Sequence, residues 1–252
     1  RDRTEKVIPL SFAQERLWFL SQLSPDSVSY NEAGAIELIG ELNIAALERG
    51  LYEIVQRHDV LRTTFVAYAD GHVQQMIAAE SPIRIKTINL EALSSQQQSD
   101  QIAQCLSDEV RRPFSLSAGP LIRFTLLQLG AEKHILLVGL HHIIADEWSI
   151  RILIKELSVI YDAFCSGRPS LLGELSIQYA DYACWQREWL EGAAFNKQLV
   201  YWKQQLEGCS PLLELPVDLP RPAALKHLGA RYAFKMPSGL LVALRRIGKI
   251  QG

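Results

Sequence analysis

The sequence predicts an α/β layered domain from three observations. Strand-like and helix-like runs alternate along the chain; the run Ile135-Leu136-Leu137-Val138-Gly139-Leu140 is apolar on both faces, as a strand covered on both sides of a sheet must be; and Glu147 to Phe164 repeats its apolar residues with a 3.6-residue period. Taken in order, Ser11-Phe12-Ala13-Gln14 has the form of a capping box, in which the Ser11 hydroxyl and the Gln14 amide satisfy each other's backbone donors, and a helix should run from there to about Leu23. Ala35 to Leu38 reads as a strand, and Ile44, Leu47, Leu51, Ile54 and Val55 fall on one helical face within 43–58. Leu61 to Ala67 and His72 to Ile77 flank Asp70-Gly71, a dipeptide suited to a tight hairpin. Ile83 to Ile88 alternates as a strand, and a helix over about 95–111 ends before Pro113. Leu121 to Leu129 and His134 to His141 read as two further strands.

Gly167, Arg168 and Pro169 break the helix that begins near Glu147, and a single long helix is expected over roughly 178–206. Trp185 and Trp189 share one face of it, so core packing is the expected role of these residues and of Trp202, rather than a ligand box. Pro211, Pro216, Pro220 and Pro222 then form an extended connector. Leu240 to Ile247 is again helical in period, but the sequence stops at Gly252 with that apolar face unpartnered, which points to a fragment of a larger polypeptide.

Composition limits the function. With 26 Lys+Arg against 28 Asp+Glu the net charge is −2, which removes the basic footprint of a non-specific nucleic-acid or anionic-membrane binder. At 48% hydrophobic and 21% charged residues the chain can bury a sizeable core and is not disordered. Cys105, Cys165, Cys184 and Cys209 form no C-x-x-C pair, so they read as small buried hydrophobes of a reducing cytosol rather than zinc ligands or a redox dithiol. Neither a signal peptide nor a stretch of roughly 20 apolar residues is present, so a cytoplasmic location is expected.

The chemistry-bearing stretch is His141-His142-Ile143-Ile144-Ala145-Asp146-Glu147-Trp148-Ser149: two imidazoles at the end of a buried strand, followed within one turn by a carboxylate at a helix start. Strand ends that open on a crevice are where α/β folds place ligands, and an imidazole there can move protons near neutral pH. Strand alternation sends His141 and His142 to opposite faces, so only one can address a reacting atom, and alternation alone does not say which. Arg57-His58-Asp59-Val60-Leu61-Arg62-Thr63-Thr64-Phe65 is the second notable segment, because Arg62 in an apolar strand needs an anionic partner, for which Asp146 is a candidate. Metal hydrolysis ranks last, since no third ligand at a recognisable spacing accompanies the histidines.

Four segments together resemble ordered core motifs of the condensation domains of nonribosomal peptide synthetases: Ser11 to Leu20, Arg57 to Phe65, His141 to Ser149, and Tyr179-Ala180-Asp181-Tyr182-Ala183-Cys184-Trp185. The connector Leu215-Pro216-Val217-Asp218-Leu219-Pro220-Arg221-Pro222 is similar to a segment that follows them in that family. The resemblance implies a lobe like chloramphenicol acetyltransferase, with a mixed β-sheet and flanking helices in two layers. Two such lobes would form a V around a tunnel. Residues 1–175 would be the N-terminal lobe, and 176–252 a helix, the proline-rich connector and the truncated start of the second lobe, which is incomplete here.

It implies further that the domain forms amide bonds between a carrier-bound thioester donor and a carrier-bound aminoacyl acceptor. It would bind no cofactor itself, its substrates arriving on the 4'-phosphopantetheine arms of peptidyl and aminoacyl carrier domains. The remaining synthetase domains are the other implied partners, with no nucleic acid and no membrane. By the same carry-over His142 faces the tunnel as the catalytic residue and His141 packs behind it, while Asp146 pairs with Arg62 to shape the site. Glu147, Trp148 and Ser149 stand where backbone or side chain could meet an oxyanion or substrate. Glu147 departs from the family, which usually has glycine after the aspartate; it either points away from the tunnel, or narrows it or attracts a cationic amine and so changes acceptor choice. The alternatives are a non-catalytic carrier-docking or recruitment module and an epimerisation domain. The isolated chain is expected to be inactive.

Overall fold

The computed structural model describes residues 7–81, 83–190, 192–210, 212–213, 215–220, 232 and 234–251. Arg1 to Lys6, and Pro211, Arg221 and Pro222 of the connector, lie outside the described residues. The chain divides into two compact units, Arg1–Gly208 and Cys209–Gly252; the expected lobe boundary at 175 falls within the first.

The first unit is built on a four-stranded mixed sheet in the order β1-β6-β5-β4, formed by β1 (Asn31–Ile39), β4 (Ile85–Asn89), β5 (Ile122–Gly130) and β6 (Lys133–His141). β1 and β5 flank β6 antiparallel, while β4 joins β5 parallel through the crossover helix α3 (Ser95–Arg111). Helices cover both faces. Leu136, Leu126 and Leu140 meet α2 (Ile44–Arg57) and α4 (Glu147–Cys165) in the larger core, and Leu137, Leu127 and Leu90 meet α3 in the smaller one. The double-sided apolar run of β6 is thereby accounted for: Leu136 and Leu137 point to opposite layers and are 1% and 2% exposed. α2 and α4 approach closely at Gly50, where an added Cβ would lie 3.1 Å from Leu157.

The hairpin β2 (Thr63–Ala67) and β3 (Val73–Ile77) forms a separate two-stranded sheet, turned at Gly71 with φ +85°. Four expectations shift. The strand expected from Leu61 begins only at Thr63, because Asp59–Arg62 winds into a 3-10 turn whose Asp59 carbonyl accepts from the Thr63 hydroxyl at 2.8 Å. The expected single helix over 178–206 is two, α5 (Tyr179–Leu190) and α6 (Ala193–Gln205), with Gly192 between them in a left-handed conformation, φ +113°. Its tryptophans are not core: Trp185 and Trp189 stack at 5.6 Å on their shared face, yet each is about half exposed, as is Trp202. The cysteines depart from expectation too, since Cys105 and Cys184 are half-buried and Cys165 and Cys209 exposed. Among the described residues no helix is long and apolar enough to cross a membrane. The second unit contains α7 (Ser238–Gln251), whose Leu240, Leu244 and Ile247 are exposed.

Candidate active site

α1 (Phe12–Leu23) starts at the expected capping box, with the Gln14 N–H donating to Ser11 Oγ at 3.2 Å and the Ser11 N–H to Gln14 Oε1 at 3.0 Å. The Ser11 hydroxyl is also 2.9 Å from the Tyr179 hydroxyl, and Arg187 Nε donates to the Leu10 carbonyl at 2.8 Å, so α5 is tied to the start of α1. Gln178, just before α5, donates to the Arg57 carbonyl and accepts from the Asp59 N–H. These ties enclose a cavity of about 510 Å³ between α1, the β6–α4 loop, the first turns of α4 and the segment 175–182. Leu17, His58, His142, Asp146, Ser149 and Tyr179 are among the residues that line it. Burial is the main cause that pushes the Tyr179 phenol above its ordinary pKa, so it stays protonated at neutral pH.

At the end of β6 the two histidines separate as alternation requires. His141 is 5% exposed on the α3 face, its ring 6.4 Å from that of Tyr30 and 6.2 Å from that of Phe114. The Ile143 N–H donates to its Nδ1 at 3.1 Å, and burial, assisted by His142, lowers its pKa to about 4. It is a neutral packing residue at physiological pH. His142 lies on the other face, lines the cavity, and has a side chain 37% exposed. Its N–H extends the ladder to the Tyr30 carbonyl at 2.8 Å, and its Nδ1 sits 2.6 Å from Glu32 Oε1.

Asp146 is the N-cap of α4. Its Oδ1 accepts from the Ser149 N–H and hydroxyl, both at 2.8 Å, while the Asp146 N–H donates to Ser149 Oγ at 2.7 Å. Those bonds hold its carboxyl below the usual carboxylate range. The expected Arg62–Asp146 pair is corrected: Arg62 Nη2 bonds Asp59 Oδ1 at 2.5 Å and Nη1 donates to the Ala78 carbonyl, while Asp146 is committed to its own helix terminus. The physical reason is proximity. The 3-10 turn brings an aspartate three residues upstream onto the guanidinium, so no distant anion is needed.

Glu147 points to solvent, 83% exposed at its side chain, and pairs with Arg151 at 2.6 Å; Trp148 is 76% exposed. The structure therefore gathers His142, Asp146 and Ser149 at the cavity, with His141 packed behind, and leaves Arg62, Glu147 and Trp148 off its lining. Among the described residues no group of three or more His, Cys, Asp or Glu side chains could hold a metal ion. Residue-by-residue reading missed Glu32 altogether, because only the β1–β6 register brings it to His142. His58 and Tyr179 fall inside the quoted motifs without being singled out, and Gln14 is read there only as a capping residue.

Fold and strand-end histidines place the chain among α/β proteins built like chloramphenicol acetyltransferase. The family model "Condensation domain" matches residues 4–252, and the chain belongs to that family. A linear gramicidin synthase from Brevibacillus parabrevis is 44% identical over 98% of this chain and 5% of its own length. The phosphinothricin tripeptide synthetase PhsC of Streptomyces viridochromogenes is 37% identical over 97% and 22%. Among solved structures, the X-domain from teicoplanin biosynthesis matches with TM-score 0.76 at 29% identity, covering 88% of this chain and 48% of its own. The first condensation domain of the CDA synthetase has the same fold, with TM-score 0.71 at 20% identity, covering 82% and 52%. The chain thus spans about half of those solved chains and a small part of the synthetases it matches.

Proposed function

We propose that this chain supplies the histidine-bearing lobe of a condensation site, in which the α-amine of a carrier-bound acceptor attacks the thioester carbonyl of a carrier-bound donor. The bond formed is C–N and the bond broken C–S; the nitrogen gives up a proton and the donor carrier's thiol leaves. The observation that carries this reading is the division of labour at the end of β6: His142 opens on a cavity large enough for a reacting centre, while His141 is buried and neutral. His142 would take the proton from the attacking nitrogen or fix the amine. Asp146 and Ser149 would shape the site by fixing the start of α4, with Arg62 acting only through its own turn. The outward Glu147, paired with Arg151, supports the reading in which it leaves the tunnel unobstructed. Carrier proteins with their phosphopantetheine arms and the other synthetase domains are the partners of this reading, and its setting is cytoplasmic. The isolated chain is expected to make no product.

The test is His142→Ala in a complete condensation domain containing this chain, followed by dipeptidyl-carrier formation. A loss of about 10²- to 10⁴-fold is expected for removal of a positioned base; wild-type turnover would remove the role. A second reading, a recruitment module without chemistry, is supported by the likeness to the X-domain, which has been solved in a complex with OxyB. Carrier binding by the complete wild-type domain with no condensation would favour it.

A further inference from the structure

We infer that Glu32 is a positioning residue for His142: its carboxylate sets the imidazole proton on Nδ1 and keeps the Nε2 lone pair free for the attacking nitrogen. This rests on the reading of His142 as the base.

Glu32 is brought there by register. His142 continues the ladder opposite Tyr30, and Glu32 pairs with Leu140, so Glu32 and His142 are diagonal neighbours on the face turned to α2 and α4. A long side chain spans such a diagonal of about 7–8 Å, and here Oε1 reaches Nδ1 at 2.6 Å. Among the described residues Nδ1, enclosed from solvent, has no aligned hydrogen-bond partner, and the Glu32 carboxylate is the group set against it. An enclosed nitrogen left unpaired is costly, which favours a ring turned to donate to this carboxylate.

The tautomer then follows from donor and acceptor capacity. An ionised carboxylate only accepts, and a neutral imidazole has one N–H and one lone pair, so the nitrogen against Glu32 must carry the hydrogen. Asp146, at the start of α4, is engaged by Ser149, and His141, on the opposite face of β6, is held neutral, while Arg16, His58, Tyr179 and Tyr182 line the same cavity. His141 has the opposite tautomer, because its Nδ1 accepts from the Ile143 N–H and its hydrogen therefore sits on Nε2. Two adjacent histidines of opposite tautomer are a signature that merely packed rings would not share.

Ring ¹⁵N spectra of this chain at pH 8 test the assignment directly. His142 is expected with a pyrrole-type Nδ1 and a pyridine-type Nε2, and His141 the reverse; a protonated Nε2 on neutral His142 overturns the inference. Glu32→Ala and the isosteric Glu32→Gln are both expected to shift His142 toward a mixed tautomer while leaving His141 unchanged. Unaltered His142 ring shifts in both variants also overturn it. In the complete domain the same substitutions are expected to lower kcat by about 10- to 100-fold, a fraction of what loss of the base costs, with KM for the acceptor carrier nearly unchanged. If His142→Ala lowers turnover but neither Glu32 variant does, Glu32 has no positioning role. If His142→Ala is without effect, the base reading fails while the spectra still decide the tautomer.

Discussion

His141 is the residue at which stability and chemistry part company. Burial lowers its pKa from 6.5 to about 4, so unfolded chains bind a proton between those values that folded chains do not. A depressed folded-state pKa makes the stabilisation fully present above the unfolded value and lost as pH falls towards the folded one. The size of the shift corresponds to about 3 kcal/mol lost between pH 6.5 and about 4. His141→Asn keeps an acceptor for the Ile143 N–H but does not titrate. Its urea midpoint is expected to change less than that of the wild type over this window, and parallel curves would show that burial does not hold the ring neutral. Asp146 acts in the same sense at lower pH, its capping bonds being lost as pH falls through the carboxylate range. Alternation made the opposite facing of the two histidines legible in the sequence, but the face that holds the cavity depends on α1 and α5, which lie far along the chain from either ring. The partner of Arg62 was within reach of the sequence, three residues upstream, had a turn rather than a strand been read there.

Elements were legible where the signal is short-range. The capping box at Ser11 and the helix that starts at Asp146 depend only on residues three apart. β1 was under-read because its left half, Asn31-Glu32-Ala33-Gly34, is too polar and small to look like a strand; the ladder with β6 makes it one. The tryptophan face of α5 has helical spacing, which fixes that residues share a side but not that anything covers it. Contact between α3 and the sheet gives a sharper case. Gly139 on β6 lies beneath Glu109, whose Cγ and Cδ would be 2.6 and 2.7 Å from an added Cβ, and Glu109 holds Arg123 Nε at 2.5 Å. Arg123 in turn stacks 3.6 Å over Phe114, one of the rings against His141. Gly139→Ala is therefore expected to push Glu109 off Arg123 and destabilise the fold by about 1–3 kcal/mol, read as a lower urea midpoint. A variant as stable as the wild type would mean that α3 moves aside freely.

At the scale of the molecule, one strand pair serves two cores. Leu126 and Leu136 belong to the core with α2 and α4, Leu127 and Leu137 to the core with α3, and none of the four is more than 2% exposed. Opening either core exposes one face of β5 and β6, so the two should unfold together, and the most protected amides should lie where both are sealed. Hydrogen exchange is expected to be slowest, and uniform in free energy, for Phe124 to Gln128 and Ile135 to Leu140, and faster in the separate β2–β3 hairpin and in α7 with its exposed apolar side chains. Leu136→Ala, at about 2–5 kcal/mol for a sealed leucine, should lower the protection of that whole set equally, including amides facing α3. Protection lost only on the α2 and α4 side would instead make the cores independent units. A platform that opens only with the whole fold would keep the end of β6, and with it the His142 ring, fixed.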